Sequence, residues 1–237
     1  HTGASMTLTA VGDAAQFSGQ DVGDITEDRM VQGDADHLIY TTGVLNVSDP
    51  DAGQSSFQAS RHVHALHDPF GGSLTIGKAG DWAYSVPNGN VQHLAQGETA
   101  QVEYEVRSAG GDKHIITVSI HGTNDAPTLN AQTHSVTEDG QRLTGQMQGH
   151  DIDHGATLTY SIAQPVDGLT FNSDGSYSFD PTDAAYQHLA NGQTQTLTVP
   201  VTVTDENGAS ATQNLEIVIT GTGDAAQISG VDTGSVT

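Results

Sequence analysis

Acidic residues return along this chain at matched places. Gly12-Asp13-Ala14-Ala15-Gln16 recurs as Gly223-Asp224-Ala225-Ala226-Gln227, and a looser copy, Gly122-Thr123-Asn124-Asp125-Ala126-Pro127, lies between them. Ile25-Thr26-Glu27-Asp28 matches Val136-Thr137-Glu138-Asp139. Asp49-Pro50-Asp51-Ala52-Gly53 matches Asp151-Ile152-Asp153-His154-Gly155. Carboxylates gathered at one place repel unless a hard cation neutralises them. Calcium takes about six to eight oxygen ligands in flexible geometry. Magnesium demands a tight octahedron, and zinc selects His or Cys. The donor types therefore point to calcium as the cofactor.

Composition narrows the partners. Six Lys and Arg against 29 Asp and Glu give a net charge of -23, which argues against nucleic acid and anionic lipid as partners, since both need a basic face. No apolar run reaches membrane-spanning length, so membrane insertion is not expected, and no signal peptide is visible. With no cysteine, disulfides cannot hold the fold, and a secreted protein without them needs another staple, such as metal.

The elements that must position these acids read as strands. Intervals of 112 and 99 residues separate Asp13, Asp125 and Asp224, too long for solenoid units and the size of independent domains. Strict alternation over 101–107, 196–204 and 215–219 marks strands with one buried face. Asp174-Gly175 and Asn207-Gly208 supply hairpin turns. A short helical turn is expected at 91–97 and again at 186–192. Some seven short strands per module predict an all-β chain of two tandem immunoglobulin-like Greek-key sandwiches. The expected boundaries are 13–123 and 124–222. Residues 1–12 are read as the tail of a preceding repeat or an expression remnant, and 223–237 as the start of the next repeat. The first module looks longer around 49–80, where the stretch 61–68 finds no counterpart in the second.

A length argument distributes the acids. Thirteen residues separate Asp125 from Glu138, and thirteen more lead to Asp151. At about 3.3 Å per residue each span covers roughly 43 Å, one sandwich length out and one back. Glu138 then lies at the far pole, with Asp151, Asp153 and Asp205 at the pole beside the linker. The same reasoning puts Glu27 at the exit pole of the first module. One junction is expected to gather Glu27, Asp28, Asn124, Asp125, Asp151, Asp153 and Asp205. Half-sites are expected at the two ends: Asp13, Asp49 and Asp51 at one, Glu138, Asp139 and Asp224 at the other. In the first module Ala109 and Gly110 occupy the turn that carries Asp205 in the second. Asp112 is the candidate substitute, and the upstream site is expected to be weaker.

These motifs resemble the VCBS-type, cadherin-like repeats of bacterial RTX and biofilm giant adhesins. The linker Gly122 to Pro127, the two Thr-Glu-Asp segments and the hairpins at Gly80 to Tyr84 and Gly175 to Phe179 carry the likeness over most of 13–223. The resemblance implies an extracellular, bacterial cell-surface protein exported by type I secretion. It also implies calcium-stiffened extender repeats that support cell adhesion and biofilm formation. Its partners would be neighbouring repeats of the same chain and a host or biofilm surface ligand, with the fragment itself a monomer. The expected sandwiches are on this view cadherin-like.

Two rival sites and one rival class remain. His62, His64 and His67, with Asp68 beside them, could hold zinc if they shared a strand face. Trp82, Tyr84 and Phe70 could form a stacking surface for a glycan, although Tyr177 and Phe179 match them in the second module and favour core packing. A ligand-binding module for glycan or protein is therefore the alternative function. No nucleophile elbow or phosphate loop of recognisable spacing is present, so an enzyme is not expected.

Overall fold

The computed structural model describes residues 12–29, 37–224 and 230. Most of the expected flanking segments, 1–12 and 223–237, lies outside the described residues. The chain divides into two compact units. One comprises His1–Asp125 with Ile152–Gly155, the other Ala126–Asp151 with Ala156–Thr237.

In the first unit, strands β1 (Gln16–Gly19), β3 (Leu38–Ser48), β5 (Ser73–Ile76) and β6 (Asp81–Pro87) form one sheet in the order β1-β3-β6-β5. Strands β2 (Val22–Thr26), β4 (His64–His67), β7 (Thr99–Arg107) and β8 (Lys113–His121) form the other, in the order β2-β8-β7-β4. Alternation sets the packing. Val102, Tyr104 and Val106 of β7, Ile116, Val118 and Ile120 of β8, and Trp82, Tyr84 and Val86 of β6 all face one core. Each fully buried aliphatic side chain contributes roughly 2 kcal/mol. The chain changes sheets early: β1 pairs antiparallel with β3, while β2 runs parallel to β8. Gly19 permits the switch, because its φ is +100° and a Cβ there would lie 2.7 Å from the Val44 carbonyl oxygen.

The second unit repeats this plan. Strands β10 (Gln132–Thr137), β13 (Thr159–Ile162), β16 (Thr194–Thr204) and β17 (Ser210–Thr220) are ordered β10-β17-β16-β13, with β10 parallel to β17. Opposite them lie β11 (Leu143–Gln146), β14 (Leu169–Phe171) and β15 (Ser176–Phe179), and a short pair, β9 (Thr128–Leu129) with β12 (Gly149–His150). The long β3 of the first unit is thus broken into β11 and β12. The break falls where buried Met147 donates its N–H to the Gly175 carbonyl. Gly175 and Gly208 adopt positive φ in the turns predicted for them. The fold is all-β, as two sandwiches of immunoglobulin-like plan.

One expectation is corrected and two are made more definite. The His-rich stretch does have a counterpart: β4 pairs with β7 as β13 pairs with β16, so both are edge strands of equivalent sheets. The extra length of the first unit falls in 52–63, which bridges both sheets through Phe57 with Ser108 and Ser60 with Ile76. The expected helical turns are chains of i to i+3 bonds, such as Leu94 N–H to the Val91 carbonyl and Leu189 N–H to the Tyr186 carbonyl. Ahead of the first, a single 3-10 turn covers Asn88–Asn90.

Candidate metal centre

Strand β2 ends at Thr26, opposite His121, and Glu27 continues the ladder by donating its N–H to the His121 carbonyl. Asp28 then turns the chain with φ +58°, a conformation that Asp tolerates better than most residues. The Glu27 side chain is completely buried. One carboxylate oxygen accepts the Thr123 N–H, and the other, Oε2, is sealed from solvent with no hydrogen-bond donor. Asp125 donates its N–H to Oδ2 of buried Asp153 at 2.9 Å. Glu27, Asp125 and Asp153 each present a carboxylate oxygen, and these lie within 4.8 Å of one another. All three residues belong to the first compact unit. Burial, with the Asp125 and Asp28 charges adding to it, pushes the Glu27 carboxyl up to about 7 against the lowering effect of the Thr123 bond. An all-oxygen donor set with a buried, donorless carboxylate oxygen fits a hard divalent cation.

The exit pole of the second unit is built the same way. Glu138 donates its N–H to the Thr220 carbonyl, and its Oε2 accepts the Thr222 N–H at 2.9 Å. Its Oε1 is buried without a donor, and Asp139 again has φ +58°. Asp224 is exposed. At the other pole of the first unit, Asp13 donates its N–H to Asp51 Oδ2 at 3.0 Å, as Asp125 does to Asp153, and Asp51 donates to Asp49 Oδ1 at 2.8 Å. Asp49 Oδ2 is buried without a hydrogen bond.

The remaining sequence-derived residues separate into roles. Asp28 is exposed, and its Oδ1 accepts from Asn88 and Gln92 at 2.7 and 3.0 Å; it is not in the group formed by the trio. Asn124 donates to the Asp125 carbonyl. Asp151 and Asp205 belong to the second unit. Asp205 Oδ1 accepts the Asn207 and Ala209 N–H groups at 2.8 and 2.9 Å, which shapes its turn.

Sequence reasoning missed the counterpart of that turn. Ser108 bonds Asp112 through its N–H as Asp205 bonds Ala209, and Ser108 Oγ accepts the Asp112 N–H. Ser108 therefore stands where Asp205 does, not Ala109 or Gly110. Asp112, four residues on, accepts the Ala15 N–H at 3.0 Å. The signal was available: both residues begin the turn immediately after the long penultimate strand.

The rival sites do not assemble. His62 precedes β4, a bulge between Ala65 and His67 breaks the period, and all three histidines are exposed. Among the described residues they form no metal-ligating group with one another. Asp68 instead accepts the hydroxyls of Tyr84 and Tyr104. Trp82 and Tyr84 are core residues and Phe70 packs against that core, so they present no stacking surface. No helix among the described residues is long and apolar enough to cross a membrane.

Comparison with known proteins bears on the fold. Residues 124–221 match the family described as bacterial cadherin-like domain, so that segment is cadherin-like. The chain resembles domains EC1-2 of human mucin-like protocadherin, with a TM-score of 0.51 and 16% identity, over 88% of this chain and 99% of that one. It also resembles the protocadherin gamma B4 extracellular domain, with a TM-score of 0.50 and 14% identity, over 87% of this chain and 33% of that one. A mouse PcdhgC3 EC1-3 structure aligns at 13% identity and a TM-score of 0.44, over 86% of this chain and 66% of that one. The chain thus spans two thirds or less of several structures it matches. No curated protein sequence matches it. At these identities the likeness establishes the fold, a cadherin-like sandwich.

Proposed function

We propose that the chain is a pair of consecutive extender repeats, spanning 13–123 and 124–222, of a secreted bacterial surface adhesin of the RTX, VCBS-containing kind. Its role would be mechanical, in cell adhesion and biofilm formation after type I secretion. One observation carries this reading: Glu27, Asp125 and Asp153 meet with their oxygens within 4.8 Å, and Glu27 Oε2 is buried without a donor. Calcium, when bound, supplies the positive charge that lets these carboxylates remain ionised together.

Glu27 ends a strand, Asp125 lies in the inter-repeat segment, and Asp153 belongs to the loop that carries the repeated Asp-x-Asp-x-Gly. Chain connectivity alone then gives a mechanical consequence. Asp153 is flanked in sequence by residues of the second unit, so tying it to Glu27 and Asp125 shortens the free length of the linker. Asn124, Asp151 and Asp205 are the proposed further donors. Asp13, Asp49 and Asp51, and Glu138, Asp139 and Asp224, are proposed to serve adjoining repeats. Metal binding would also add to stability, because the unfolded chain has no such site. Without calcium the trio's repulsion would keep the segment loose, as export requires.

The test is calcium calorimetry combined with small-angle scattering, in calcium and in chelator. Saturable binding with a longer, stiffer particle supports the reading. Saturable binding with unchanged scattering would remove the stiffening role, and no binding at millimolar calcium would remove the site.

A further inference from the structure

The extra segment of the first unit, and the Arg and His residues that follow it, are not used by the calcium reading. The segment is firmly held: Phe57 N–H donates to the Lys78 carbonyl, Gln58 N–H to Arg107, and Ser60 and Ile76 exchange two bonds of 2.9 and 3.0 Å. Phe57 anchors it in the core. Bridging the open side of the sandwich, it walls off a trough of about 800 Å³ on the outer face of the β1-β3-β6-β5 sheet. The trough runs across the strands from Gln20, over Thr42, Val44 and Ala83, to Arg61. A smaller cavity of about 280 Å³, lined by His64 and Arg107, lies on the other side of the same segment.

The charges there are unusual for this molecule. Arg107, Lys113 and Arg142 each pair with a carboxylate. Arg61, at the trough wall, and Lys78, next to trough residue Gly77, are exposed, and neither is in an ion pair among the described residues. In a chain with 29 acids and six Lys and Arg, cations left unpaired beside a concavity offer charge complementarity to an external anion. Arg is suited to reading a carboxylate through two parallel hydrogen bonds. Asp81, Gln20 and Thr75 also line the trough and supply acceptors and donors for hydroxyls. Ala83, a small half-buried residue, lies on its floor. The volume falls in the range of ordinary ligand sites.

We propose that this trough binds a carboxylate-bearing polysaccharide, a uronate glycan, with Arg61 pairing a uronate carboxylate and Asp81 accepting sugar hydroxyls. Lys78 adds attraction at the rim. This inference is independent of the calcium reading, and the experiment keeps them apart by working in chelator, where calcium cannot bridge uronates.

Binding of a short oligogalacturonate to the full chain is measured by calorimetry, beside a neutral malto-oligosaccharide and an oligoglutamate peptide. The expected result is binding of the uronate alone, weakened about tenfold or more by Arg61→Ala and abolished by Ala83→Trp, which fills the floor. Circular dichroism melting establishes that both variants are folded, and Arg61→Lys serves as a second, milder variant if either is not. Equal affinity in wild type and Arg61→Ala, or no uronate binding by wild type, overturns the proposal. Tighter binding of oligoglutamate than of uronate also overturns it, in favour of an acidic protein partner.

Discussion

Replacing Glu27 by glutamine keeps the side chain's size and its ability to accept the Thr123 N–H, but removes one negative charge from the acidic trio. In chelator this should stabilise the protein. The Glu27 carboxyl is raised from 4.5 to about 7 by burial, with the neighbouring Asp125 and Asp28 charges adding to it. Keeping it ionised at pH 8 therefore costs roughly 3 kcal/mol. Glutamine avoids most of that cost, and the midpoint should rise by roughly 10 °C for a unit of this size. In millimolar calcium the order should invert, because wild type gains binding free energy that the variant, short of one carboxylate, loses by about tenfold or more in affinity. The assay is thermal melting of both proteins at pH 8 in chelator and in calcium. If Glu27→Gln melts below wild type in both conditions, Glu27 is a structural hydrogen-bond acceptor and the electrostatic reasoning fails. If calcium shifts the two proteins equally, Glu27 is not a ligand.

Other expectations follow from the same geometry. Chelated wild type should lose stability as pH rises from about 4.5 to about 7, since a raised carboxyl pKa favours the folded state only below it; Glu27→Gln should flatten that slope in a pH series of melts. Asp28→Asn should leave calcium affinity within about threefold by calorimetry, because Asp28 is held by Asn88 and Gln92 instead of by the trio. Gly43→Ala places a methyl against the Trp82 ring and should cost about 1–3 kcal/mol in denaturant titrations followed by the fluorescence of the single tryptophan. Alanine at His62, His64 and His67 together should change stability by under about 0.5 kcal/mol, and zinc should not shift the melting point of wild type.

Much of this architecture could be read from the chain because strands with one wet face print their period in the sequence. β7, β16 and β17 alternate cleanly, and their inward residues are the core. The acids were legible for another reason: a buried carboxylate with few partners is costly, so its return at matched places marks a shared structural demand. Where the period is erased, reading failed. All four residues of β4 are exposed and a bulge shifts its register, so the edge strand looked like an insertion. The role of Ser108 was hidden because a hydroxyl and a carboxylate close the same turn. Which bonds Asp28 makes could not be read from its adjacency to Glu27; the turn at φ +58° brings it to Asn88. Trp82 was a candidate for stacking because sequence does not show which face of β6 is covered; its indole N–H donates to the Gln20 carbonyl and its ring lies against Gly43.

The most direct test of the central claim is a crystal structure of the chain grown in calcium, with anomalous data to identify the ion. The expected result is a calcium about 2.3–2.6 Å from carboxylate oxygens of Glu27, Asp125 and Asp153. A protonated Glu27 with no ion at the trio, while calcium sits elsewhere on the surface, would contradict it.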